Sequence, residues 1–380
     1  MKPNKQRGFS LTELMVAMVI GLIILAGVSS VMVSNKKTYT AQDSLARLQE
    51  NARAAMLIMT RDLRNVGYWG CNPDPENVTN LLNGAATNYL YDNSTPLEGA
   101  EAGGTFYPSG TAMTLAPRAN TDVLMIRGLD TSSAGRIQEA MPSTSQNIKV
   151  LDGHGLATGD VVALTDCNST DIFQVTGIQD AGGGKDMLKH ESDVNPPVPG
   201  NRELDGPNTI SKAYGDDAIF MKYMSHAYFI APGTSGEPSL FRQKLTATGP
   251  ESQELVEGIE NLQVQYGVDT DNDKIADVYN KANLVGAATN WNNVVSVRFG
   301  IVARALANLE TRAVRTAATL SQMDTKSLDV DGDGIIEANN DFTGAETGTT
   351  TIGGETVQDR QYQRRVFRTT VLLRNMQIRN

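Results

Sequence analysis

Apolar positions follow three regimes along the 380 residues. Residues 9–33 are apolar on every side apart from a few small or polar positions, and residues 34–66 are apolar at spacings of three and four. From about residue 120, short apolar or alternating runs sit between turn residues. As a helix the first run spans about 37 Å, enough to cross a hydrocarbon layer of about 30 Å. In the second run Leu45, Leu48, Ala52, Ala55, Met59, Leu63 and Val66 recur at the helical period. No proline interrupts residues 9–66, so the two runs predict one continuous helix roughly 85 Å long. Its first half (9–33) would sit in a membrane or filament core, and its amphipathic second half (34–66) on a folded body. Gly21 and Gly27 lie inside it as notches for a neighbouring helix or as points where it can loosen. Gly67 and the Gly70-Cys71-Asn72-Pro73 stretch are expected to end it.

Strands are expected over 122–127, 147–151, 160–164, 172–175, 218–223, 227–230, 262–266, 294–303 and 366–373. No helix–strand alternation repeats, which disfavours a doubly wound parallel sheet. The pattern predicts an α+β fold: a long N-terminal helix packed on a β-rich head of antiparallel sheets, taken as one composite body over 67–380. Residues 72–119, 182–207 and 341–355, rich in Gly, Asn, Ser, Thr and Pro, are expected as long surface loops.

Lys2, Lys5 and Arg7 make a basic leader before Gly8-Phe9. A secretory signal would be cut after its apolar core, whereas here the cut falls before it, between residues 1–8 and the rest, and the core stays with the mature chain. The basic residues favour a cytoplasmic N-terminus and an exported body. Glu13 breaks the apolar run, where an unpaired charge costs on the order of 3 kcal/mol or more. After a cut at Gly8 it becomes the fifth residue, one turn from the new amine on Phe9. The terminal amine of a neighbouring subunit would then neutralise it. The alternative is a glutamate snorkelling at the edge of an ordinary single-span anchor.

The stretch RGFSLTELMVAMVIGLIILAGV (7–28) resembles the processing and assembly segment of type IV prepilins. Residues 45–71, Asp166-Cys167, 260–273 and 364–375 resemble the PilW family of minor pilins. The resemblance implies a prepilin peptidase that cuts between Gly8 and Phe9 and methylates Phe9, with Glu13 as the assembly glutamate. It implies a pilin-like fold, first inserted in the inner membrane and then displayed on the pilus at the cell surface. The partners it implies are the major pilin, other minor pilins and a large tip adhesin, in a complex that primes polymerisation for twitching or adhesion. The leader and early helix also fit a pseudopilin of a type II secretion system.

Composition narrows the remaining classes. The net charge is −10, and loss of Lys2, Lys5 and Arg7 with the leader would take it to −13, which argues against a nucleic-acid surface. The two cysteines, Cys71 and Cys167, are expected to pair in an oxidising compartment, the alternative being two buried thiols. Two acidic loops have the alternating carboxylates that suit calcium. One comprises Asp329, Asp331, Asp333, the Ile335 carbonyl and Glu337, with Gly334 at its sixth position. The other comprises Asp269, Asp271, Asp273, Ile275 and Asp277, with Lys274 there instead. Asn280 and Asn340 replace the twelfth-position acid, so neither is an EF-hand, and an acidic solvated turn is the plain alternative. His154, His190 and His226 lack metalloprotease spacing, and no nucleophile elbow, P-loop or dinucleotide fingerprint occurs. An enzyme is not expected. A membrane-tethered, calcium-dependent adhesin is the alternative from another class.

Overall fold

A computed structural model describes residues 10–71, 77–85, 88–101, 113–192, 198–246, 248–288, 291–306, 349–352, 355–358 and 364–376. One helix, α1 (Leu11–Leu63), carries both predicted regimes in its 53 residues. It opens on a capping box. The Ser10 hydroxyl accepts the Glu13 amide at 3.2 Å, and the Ser10 amide donates to Glu13 Oε2 at 2.9 Å. It ends three residues before the predicted boundary. Val66 has left the helix for an antiparallel bridge to Gly128, and Gly67 follows at φ +69°, a conformation that favours glycine.

Along α1, Leu48, Ala52, Ala55, Met59 and Leu63 are buried as the spacing predicted, and Leu45 is half-buried. From Leu11 to Val33 the large apolar side chains are 52–75 % exposed. The helix is long and apolar enough there to cross a membrane.

The head is built on two main sheets. The larger contains β1 (Val78–Asn80), β2 (Leu97–Ala100), β3 (Val123–Arg136), β5 (Val161–Thr165), β6 (Thr170–Gln174), β9 (Ile219–Pro232), β10 (Pro238–Thr246) and β11 (Gly249–Glu257). Every pairing in it is antiparallel except β1 with β6. β9 is its spine, pairing with β3, β5 and β10. The second sheet is antiparallel throughout, in the order β13 (Val278–Asn280), β12 (Ile259–Val268), β14 (Val294–Arg304), β17 (Arg364–Leu372). A three-stranded sheet of β4 (Ile148–Leu151), β8 (Lys185–Lys189) and β7 (Gly177–Asp180) lies in the middle of the sequence. A hairpin of β15 (Thr349–Ile352) and β16 (Glu355–Gln358) precedes β17. This is the expected α+β architecture, with strands in every predicted stretch. The two apolar runs 218–223 and 227–230 are one strand, and all three stretches expected to be loops contain strands: β1 and β2 in 72–119, β8 in 182–207 and β15 in 341–355.

Residues 44–63 of α1 pack against β11, β14 and β17. Their apolar face shares one core with Leu124, Ile126, Leu262, Val297, Phe299 and Ile301. Burying a large apolar side chain contributes roughly 1.5–3 kcal/mol, so five helix positions anchor this joint firmly. The chain leaving α1 is then fixed at successive points. Gly67 N donates to Arg127 O (2.9 Å), Leu129 N to Tyr68 O (3.0 Å) and Thr170 Oγ1 to Trp69 O (3.2 Å). Close approach makes Gly128 necessary, because a Cβ there would sit 2.2 Å from the Asn65 carbonyl oxygen. Two residues after Trp69, Cys71 forms the expected disulfide with Cys167, across 96 residues.

Two stability predictions follow from this wiring. Cys71→Ser with Cys167→Ser should lose up to about 4–5 kcal/mol by the chain-entropy account, read as a lower denaturant midpoint for the full chain in detergent. An unchanged midpoint would show the crosslink to be thermodynamically idle. Asp171 is buried in β6, and one carboxylate oxygen accepts from Ser211 N (2.9 Å) and Ser211 Oγ (2.8 Å) while the other has no hydrogen-bond partner. Burial pushes its carboxyl up to about 6. The folded chain therefore holds this proton to higher pH than the unfolded chain, so its stabilising contribution is complete below about pH 4 and lost as pH rises through about 6. Asp171→Asn should raise stability near neutral pH by about 1–3 kcal/mol and flatten the profile between about pH 4 and 7. A variant profile parallel to the parent's would place the titration elsewhere.

Candidate assembly surface

Ser10, Thr12 and Glu13 stand at the start of an exposed apolar rod. The Ser10 hydroxyl also donates to Glu13 Oε2 at 3.1 Å, so the carboxylate is turned back on the first turn of its own helix. There it satisfies an amide that helix geometry leaves unpaired, and it complements the positive helix end. The sequence reading gave Glu13 a charge partner on another chain but overlooked Ser10. The Ser-x-x-Glu spacing just before an apolar run was the signal that could have found it. Gly8 and Phe9 lie outside the described residues. A Cβ placed on Gly21 or Gly27 would meet nothing within 4 Å, so both remain open notches on the exposed half of α1.

Where α1 meets the head, Asp62 is a second feature that the apolar pattern does not reveal. One of its oxygens, Oδ2, accepts from Tyr228 at 2.5 Å, stands 2.8 Å from His226 Nδ1 and lies 3.5 Å from an Arg242 nitrogen. Burial raises the Asp62 carboxyl, but hydrogen bonds from His226 and Tyr228 and the charge of Arg242 more than offset it, leaving it below the usual carboxylate range. Burial holds the His226 imidazole below its ordinary value despite the adjacent acid. The group ties the last turn of α1 to β9 and β10. His226 is the strand residue that the sequence suggested, engaged by a helix side chain. The other two histidines have separate partners: His154 Nε2 lies 3.2 Å from Asp186, and His190 Nε2 lies 2.9 Å from the Gln146 carbonyl oxygen.

A third cluster joins the ends of four strands. Arg304, fully buried at the end of β14, pairs with Glu237 and stands 3.8 Å from Glu260. Glu260 in turn binds Arg364 at 2.6 Å and faces Arg118 at 3.6 Å. Burial raises the Glu260 carboxyl, and Arg364, Arg118 and Arg304 together bring it below its ordinary value. A buried carboxylate surrounded by arginines stays ionised and fixes where β10, β12, β14 and β17 meet.

In the acidic loop after β12, the structure brings together Asp269, Asp271 and Asp273, whose carboxylate oxygens lie within 4.8 Å of one another. Asp277 is not in that group. It accepts from the Thr270 amide and hydroxyl, both at 2.7 Å, and these bonds hold its carboxyl low. Asp269 is buried and accepts amides from Asn272 (2.7 Å) and Lys274 (2.9 Å), while the Ile275 amide donates to Asp273 (2.7 Å). Lys274 takes φ +71° where a calcium loop would carry glycine. The loop is therefore shaped by its own amides, with carboxylate lone pairs left over. Asp329, Asp331, Asp333, Ile335 and Glu337 lie outside the described residues.

Two family models match the chain. That of Type IV Pilus-assembly protein W covers residues 227–375, from β9 through β17, and the Prokaryotic N-terminal methylation motif covers residues 3–29. No curated protein and no solved structure matches. The first match contains the 260–273 and 364–375 stretches together with Glu260, Arg304 and Arg364, and leaves 45–71 and Asp166-Cys167 outside it. The second contains the leader, Ser10, Glu13 and the exposed half of α1. A methylation-motif helix at one end and the matching strands at the other support a type IV pilus minor pilin of the PilW family.

Proposed function

We propose that the chain works as an assembly subunit in pilus initiation, joining other minor pilins in a tip complex that primes polymerisation of the major pilin. The observation that supports this most is the division of α1. Its first half exposes apolar side chains all round, while its second half is committed to the head. A rod so exposed requires lipid or like helices around it, and transfer from one to the other is the assembly step. Prepilin peptidase acts between Gly8 and Phe9 on the cytoplasmic side of the inner membrane, and the exported head reaches the cell surface in the pilus. The Glu13 carboxylate then exchanges its internal bonds to Ser10 for the terminal amine of a neighbouring subunit. A large tip adhesin is the proposed outer partner.

The Asp269 loop favours an additional calcium role for the head. Three carboxylate oxygens lie within 4.8 Å of one another, and an ion there would relieve their mutual repulsion. Asp269, Asp271 and Asp273 would hold it.

Glu13→Gln keeps the reach to the Ser10 amide but removes the charge, whereas Glu13→Val removes both. Both variants should be cleaved and inserted normally, and both should be depleted from sheared pili. Full recovery of the Gln variant in pili would dismiss the charge pairing. For calcium, millimolar ion should raise the melting temperature of the full chain in detergent, and Asp271→Ala should abolish the rise. A melting curve indifferent to calcium would retire the site.

A further inference from the structure

Both main sheets end in a long outer strand, and the two are built differently. β11 has Pro250 in its second position, and its pairing with β10 shifts register at Leu240/Phe241. Proline and bulges are standard means of keeping an outer strand from accepting another. β17 has neither. Its nine residues pair with β14 in unbroken register from Ser296↔Leu372 to Arg304↔Arg364. Among the described residues, no strand pairs with its other edge.

Charge sets β17 apart as well. In a chain of net charge −10, residues 364–376 carry Arg364, Arg365, Arg368 and Arg374 and no acid. Arg364, Arg365, Val366 and Arg368 line an open groove of about 460 Å³. Arg364 turns inward to Glu260, whereas Arg365, Arg368 and Arg374 are exposed. At the far end of the strand, Leu372 is 61 % exposed. The strand also lies beside the packed half of α1: the Asn375 side chain donates to the carbonyls of Arg64 and Val66, both at 3.2 Å. Anything added to this edge would thus stand next to the helix that carries the chain into the filament.

We propose that the outer edge of β17 is a docking strand that takes an extended, acidic segment of a neighbouring pilus subunit by strand addition, with carboxylates held by Arg365 and Arg368 and an apolar side chain on Leu372. This rests on the reading of the chain as an assembled pilus subunit. Guanidinium groups alone would suit a phosphate equally well. The amide and carbonyl groups of a strand edge, however, match the spacing of an extended polypeptide, and Val366 and Leu372 offer apolar contact beside them.

The test uses the full chain in piliated cells, with a photocrosslinking amino acid at Thr370 on β17 or, as control, at the exposed Gln253 on β11. The expected result is an adduct with another pilus subunit in the sheared pilus fraction from Thr370 and not from Gln253, mapped to a segment containing Asp or Glu. Arg365→Glu, alone and with Arg368→Glu, should lower the adduct roughly tenfold, while lysine at both positions should retain most of it. Retention of the Cys71–Cys167 disulfide and of protease resistance verifies that the variants fold. An adduct insensitive to charge reversal, one mapped to a segment without acids, or one with lipid or nucleic acid overturns the docking strand. If the chain is in pili without a Thr370 adduct, the docking strand alone fails; if the chain is absent from pili, the assembly reading fails with it.

Discussion

Leu48, Ala52, Ala55, Met59 and Leu63 form one buried stripe where α1 lies across β11, β14 and β17, and the remaining geometry follows from that contact. A helix of 53 residues has no intrinsic direction relative to a head of sheets. Burying one face over about four turns supplies it, because apolar area removed from water outweighs any single polar contact at the joint. Once the second half is held, the first half continues from the body as the same helix, with no proline to break it. The exposed apolar rod is thus aimed by packing that takes place some thirty residues away.

Polar groups refine what the apolar stripe begins. Asp62 gives one carboxylate oxygen to His226, Tyr228 and Arg242, so the last turn of α1 is registered against β9 and β10. Glu260, among three arginines, does the same for the strand ends of the second sheet. Paired buried charges of this kind contribute little net stability compared with apolar residues of the same volume, but removing one partner leaves an uncompensated charge. Their effect here is positional. They set where α1 approaches β9 and β10 and where the ends of β10, β12, β14 and β17 meet.

Much of this was legible in the residues. The shift from uniformly apolar to three-and-four spacing located both halves of α1, because helical period and burial are coupled by geometry alone. Short β-branched and aromatic runs located eight strands, and two cysteines, read as lying in an oxidising compartment, indicated one bond. The helix end was misplaced by three residues because Val66, apolar and in phase with Leu63, is claimed by a bridge to Gly128 that no local signal announces.

The sequence alone determined that the N-terminal half of α1 must avoid water, that Glu13 interrupts it, and that the head is β-rich, since each of these depends on residue type and short-range spacing. Only the tertiary structure decided the rest. It joined Asp62 to partners more than 160 residues away and separated Asp277 from the other loop carboxylates. Among the described residues, it also left β17 at the rim of its sheet. Strand order and side-chain meetings across such distances arise from which surfaces can be buried together, and that is a property of the whole chain and not of any segment in it.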